Sequence, residues 1–146
     1  MILGMALGLV LTLGAIVAPV VFHTDMISGA DISHFQMGVV MTEIFRRASY
    51  VLNVVALIII IRESYSYKLF DRDKIVIPSA ATAVLMIFLF TLYYTKAIIE
   101  YQKLGESVLD DSRFQALHKA SELDFMLLAL SLAMLLARRL YLIMKG

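Results

Sequence analysis

The chain has 146 residues, 61% of them hydrophobic, a net charge of +1 and a mean hydropathy of +0.85. Soluble domains are about 45–50% apolar, so these totals leave room for one bundle in a membrane, exclude a separate soluble domain and give no case for binding nucleic acid. Cysteine is absent, which excludes disulfides and thiolate metal sites, and tryptophan is absent, so an interfacial aromatic belt must use Tyr and Phe.

Residues 1–22 carry no charge and match the roughly 20 residues needed to cross a bilayer. No basic stretch precedes them, and Pro19 follows Ala18 where a signal-peptide cleavage site would fall, so they read as a retained span. Gly4, Gly8, Thr12 and Ala15 make a small-residue ridge, and Gly14 with Ala18 repeats its four-residue spacing. Such ridges let helices approach closely in lipid. Pro19, near the end of the span, is expected to bend or stop the helix.

A polar turn follows at 23–31, with Ser28-Gly29 as breaker and Asp31 as the expected N-cap of a helix over 32–62. Phe35, Val39, Thr42 and Phe45 run along one side of its first half, with Glu43, Arg46 and Arg47 elsewhere. Its second half is apolar except for Asn53, which is expected to hydrogen-bond a neighbouring helix. Residues 62–74 read as a charged loop. The third span covers 75–99, with Pro78 in its first turn, Tyr93, Tyr94 and Tyr101 at its far interface, and Lys96 spaced to pair with Glu100. Gly105 is expected to end that helix. Ser112 and Gln115 fit a capping box for a last helix over 113–144, roughly 48 Å long and longer than the hydrocarbon core. Ala129, Ala133 and Ala137 form a second small stripe on it, suited to meet the first.

The pattern predicts an all-α fold, an integral membrane four-helix antiparallel bundle. Its spans lie at about 1–22, 37–61, 76–99 and 122–143, and helices two and four extend beyond the membrane. Four spans put both termini on one side with the 62–74 loop. That side holds Arg62, Lys68, Arg72, Lys74, Arg138, Arg139 and Lys145 against six basic residues opposite, which places the loop and termini in the cytoplasm. Nine of the twelve acids and all three histidines fall on the outer side.

Phe114-x-x-Leu117-His118-x-x-Ser121 leading into an apolar helix, Ala18-Pro19-Val20-Val21-Phe22, and Gly38 followed by Ile44-Phe45-Arg46 and Tyr50 resemble, in order and spacing, the bacterial family called domain of unknown function 4149. That family is similar to the eukaryotic transmembrane protein 205. The resemblance implies a four-helix protein of the bacterial inner membrane and little biochemistry. The eukaryotic relative's association with resistance to platinum drugs implies metal handling or export. Family members often carry Asn where this chain has Asp124, a departure that bears on any polar role there.

Two constellations carry candidate chemistry. His23, Met26, His34, Met37 and Met41 bring imidazole and thioether together around the turn before helix two, a donor set suited to copper. The alternative is that Met37 and Met41 are ordinary packing residues. His118 with Glu122 and Asp124, faced by Glu43, Arg46, Arg47 and Glu100, makes a polar cluster able to bind a cation or relay protons. Its alternative is a structural network at the water interface. Haem could be held between histidines on facing helices, although none of the three lies deep in a span. No nucleophilic triad, zinc-hydrolase spacing or phosphate-binding glycine loop is present, so an enzyme is not expected. The leading expectation is binding or transport of a metal ion or small solute at the outer His/acid cluster, with transport requiring a homo-oligomer. The competing one is a subunit of a larger membrane complex, assembled through the small stripes Gly4–Gly8–Gly14 and Ala129–Ala133–Ala137.

Overall fold

The computed structural model describes residues 1–29, 31–69 and 73–145, and among these there are helices and no strands. Four helices are long and apolar enough to cross a membrane: α1 (Ile2–Phe22), α3 (His34–Lys68), α4 (Val76–Gln102) and α5 (Ser112–Lys145). A short helix, α2 (Thr24–Ser28), links the first two, and a 3-10 turn, Glu106–Asp110, leads into α5. The turn residues act as expected: Gly29 closes α2 at φ 63° and Gly105 follows α4 at φ 89°, a conformation in which a Cβ is strained. Arg72, counted above among the loop's basic residues, lies outside the described residues.

Three helix boundaries differ from expectation for identifiable reasons. α3 is capped by Ser33, not Asp31, because Gln36 lies three residues beyond Ser33. Ser33 Oγ accepts from Gln36 N–H at 3.3 Å, and Gln36 Oε1 accepts from Ser33 N–H at 3.1 Å. At its other end α3 runs on to Lys68 through residues expected to form a loop. That segment has no Gly or Pro, and its Glu63 is held by Arg139 of α5. The start of α5 is likewise capped one residue earlier, by Asp111, whose Oδ1 accepts from Arg113 N–H at 2.7 Å.

α1 and α4 each contain a widened, π-helical turn. In α1 it spans Leu13–Val17. Pro19 has no N–H for the carbonyl of Ala15 and its ring would crowd that carbonyl, so the ladder shifts: Ala18 N–H bonds Leu13 O. The helix then continues to Phe22, neither stopped nor broken by the proline. In α4 the turn spans Leu89–Tyr94, where the Phe90 carbonyl accepts both the Thr95 N–H and, at 2.8 Å, the Thr95 hydroxyl.

The buried core is a column of aliphatic side chains from all four long helices, including Val10, Leu52, Ile87, Leu128, Leu132 and Leu135. Lipid tails are as apolar as leucine, so such a column holds by packing and by specific polar contacts. Asn53 Oδ1 accepts from Thr91 Oγ1 at 2.8 Å, the interhelical bond expected of the one polar residue in that run. α4 and α5 meet at Asp73–Arg138 before α4, at Phe90–Phe125, and at Tyr101–Phe114. The Asp73 carboxylate takes Arg138 Nη2 at 2.8 Å and the N–H groups of Ile75 and Val76, which caps α4. The Arg138 guanidinium and these two N–H groups hold its carboxyl well below the usual aspartate range.

Candidate functional site

Phe125 is the point where the four long helices converge. Its ring lies 4.9 Å from that of Phe90 on α4 and 5.2 Å from that of Phe45 on α3, and those two are 5.1 Å apart. A Cβ at Gly14, in the π turn of α1, would meet Phe125 Cε1 at 3.3 Å. Aromatic contacts of this kind are worth about 0.5–1.5 kcal/mol each beyond area burial. The aromatic cluster lines a cavity of about 750 Å³.

All four long helices wall the cavity. α1 contributes a stripe with Leu11, Ala15, Ala18 and Phe22; α3 contributes His34, Gly38, Met41 and Thr42; α4 contributes Thr95, Ile98 and Gln102; α5 contributes Gln115, His118, Lys119, Glu122, Met126 and Ala129. The lower walls are apolar. The polar groups gather toward the end where α1 and α4 finish and α3 and α5 begin. There Gln102 Nε2 donates to Thr42 Oγ1 at 2.9 Å, and Thr42 Oγ1 donates to the Gly38 carbonyl at 2.8 Å. His118 Nε2 lies 3.3 Å from Glu122 Oε1, and its ring stacks on Phe114. The volume and the combination of apolar walls with a few placed polar groups are those of a small-molecule site.

The candidate residues from the sequence are distributed unevenly around this cavity. His34 and Met41 line it, with the His34 ring 5.3 Å from Phe22. Met37 is buried in α3, and Met26 is 81% exposed on α2. His23 places Nδ1 2.7 Å from the Pro19 carbonyl and so satisfies one of the open carbonyls at the end of α1. His118 and Glu122 are together at the rim. Glu43, Arg46 and Arg47 instead pair with one another on the exposed side of α3, at 2.7–2.8 Å. Glu100 pairs with Lys103 at 2.6 Å, not with Lys96. Asp124 is 4% exposed, and its Oδ2 has no hydrogen-bond partner among the described residues. Among those residues no group of three or more His, Asp or Glu stands close enough to hold a metal ion.

The small stripes separate in the same way. A Cβ at Gly4 or at Gly8 would find nothing within 4 Å, so these two face away from the bundle and not toward the alanines of α5. Gly14 packs on Phe125, Ala129 and Ala133 are half-buried, and Ala137 is exposed. Sequence reasoning missed Gly38, Gln102 and the joint role of Phe45, Phe90 and Phe125. A glycine inside a helix is a signal for close approach or space, and Gly38 carried it; the aromatic cluster joins residues far apart in sequence and had none.

Comparison with curated proteins and with solved structures gives no match. A family model does match, over residues 1–107. It takes in Gly14, Pro19, Gly38 and Phe45 and ends before the Phe114–Ser121 stretch, so membership rests on the first three long helices. The chain belongs to the family described as Domain of unknown function (DUF4149).

Proposed function

We propose that this protein binds an amphipathic small solute in the cavity between its four helices. In this reading it is an antiparallel four-span protein of the bacterial inner membrane, with cytoplasmic termini and the first turns of α3 and α5 standing outside the bilayer. At 35 and 34 residues these helices are about 51–53 Å long against a hydrocarbon core of about 30 Å, which supports that placement. The observation that carries the function is the cavity: about 750 Å³, lined by three phenylalanines, apolar along most of its walls and polar at one end. A solute with an apolar body and a polar head matches that gradient.

Native mass spectrometry of the protein released from lipid nanodiscs tests this. The wild type carries a bound amphiphile, and Gly38→Leu, which directs bulk into the cavity beside Gln102, carries less of it. Leucine is also a stronger helix former than glycine, so the substitution does not weaken α3 itself. Equal occupancy in both proteins, or none in either, contradicts the reading.

A second reading, as a subunit of a membrane complex, is supported by the open space at Gly4 and Gly8 on the outward face of α1. Cross-linking through Gly8→Cys in this cysteine-free chain tests it. A specific partner adduct supports that reading, and no adduct contradicts it.

A further inference from the structure

We propose that Asp124 is a proton-binding site inside the bundle. Its carboxyl is held as the neutral acid in the layer of Thr91, and its proton exchanges with water by way of the cavity. Neither step needs a solute in the cavity.

Asp124 sits at hydrocarbon depth. Its neighbour Phe125 meets Gly14, which is about 12 Å below the Phe22 end of an α1 that carries no charged side chain. Phe90 meets Phe125 and Tyr101 meets Phe114, so Thr91 stands level with Asp124, where the π turn of α4 packs on α5. Both side chains are on buried faces, 5% and 4% exposed. An ionisable group in such a place is costly unless it is matched.

The hydrogen-bond inventory of the layer selects the acid form. Each hydroxyl has one proton to give, and the buried ones around Asp124 have given theirs. Thr91 Oγ1 donates to Asn53 Oδ1 at 2.8 Å, Thr95 Oγ1 to the Phe90 carbonyl at 2.8 Å, and Ser121 Oγ to the His118 carbonyl at 2.7 Å. What these groups still offer is lone pairs. A carboxylate only accepts, so it gains nothing from them, whereas the acid brings the missing donor. The other donors at this level are the Asn53 amide on α3 and the Tyr94 hydroxyl on α4, and neither reaches Oδ2. No cation faces the carboxyl. Lys96 and Lys119 are exposed, and Arg46 and Arg47 pair with Glu43 on the exposed side of α3. A metal ion in place of the proton would need several oxygen ligands, and no group of three or more His, Asp or Glu stands together among the described residues.

The cavity supplies the route. Ser121, Glu122 and Phe125 around Asp124, and Phe90 and Thr95 opposite, all line it. From there it runs to the His118–Glu122 pair at the polar end, side chains of the kind that relay protons in membrane proteins.

Infrared spectroscopy of the full chain in phospholipid vesicles tests both steps, because a protonated carboxyl has a carbonyl stretch apart from the amide and carboxylate bands. At neutral pH ordinary carboxyls are ionised. The wild type shows this band at the strength of a single carboxyl per chain, and transfer to heavy water shifts it. Asp124→Asn, an uncharged near-isostere that keeps the packing, loses the band, and Glu122→Gln retains it. Identical neutral-pH spectra for the wild type and Asp124→Asn overturn the proton site, as does loss of the band in Glu122→Gln instead. A band that heavy water leaves unshifted overturns the exchange route.

Discussion

Gly14 and Phe125 touch across the middle of the bundle: a Cβ at the glycine would sit 3.3 Å from the edge of the ring. The same ring faces Phe45 and Phe90, so this contact ties α1 to the aromatic cluster that lines the cavity. Gly14→Val forces the ring to move in a packed cluster and costs about 1–3 kcal/mol, the usual range for overpacking. Gly8→Ala, in open space, costs nothing and gains up to about 1 kcal/mol from helix propensity. Thermal unfolding in detergent, followed by circular dichroism, separates the two; equal behaviour contradicts the close contact.

The Asn53–Thr91 bond ties α3 to α4 in an otherwise apolar layer. Thr91→Val leaves the Asn53 amide without this partner. Bonds of this class within membranes average about 0.6 kcal/mol and reach about 1.7, so the variant loses stability in that range. A double-mutant cycle with Asn53→Leu checks that the loss is shared. Additive effects of the two substitutions would place the bond's contribution at zero.

The Asp73–Arg138 pair gives stability a pH dependence of definite sign. The folded-state carboxyl titrates below its unfolded value of about 3.9, so the unfolded chain binds the proton more readily. The stabilisation is complete above that unfolded value and is lost as pH falls through the depressed one. The wild type therefore loses stability between about pH 5 and pH 2, whereas Asp73→Asn starts lower at neutral pH and changes less on acidification. Parallel acid profiles for the two proteins would contradict the pairing.

Asp124 is buried with one carboxylate oxygen unpartnered among the described residues, an arrangement that costs free energy in any apolar setting. Asp124→Asn removes the charge at nearly constant volume and raises the melting temperature. A melting temperature unchanged or lowered by this substitution would show that the carboxylate is matched in the membrane.

What the sequence made legible is what short-range chemistry controls. The long apolar runs mark the four helices, Asn53 stands out in its run, and Gly29 and Gly105 mark their turns. Boundaries were harder where two residues of the same type compete: Asp31 and Ser33 are both cap formers, and Gln36 decides between them. The extension of α3 to Lys68 depends on Arg139 arriving at Glu63 from 76 positions away, which no local pattern records. The cavity was least legible. His118 and Glu122 lie one turn apart and could be paired by eye, but the cavity also needs the π turn before Pro19 and three phenylalanines from three helices. The separation of Glu43, Arg46 and Arg47 from His118 is set by which way α3 turns its faces. Periodicity alone leaves that open.

The most direct measurement is an experimental density map of the wild-type protein in lipid nanodiscs. A bound amphiphile predicts elongated non-protein density beside Phe45, Phe90 and Phe125, ending near Gln102 and His118. Helices closed over these rings, with Phe22 and His34 packed against His118 and no space between them, would contradict the account.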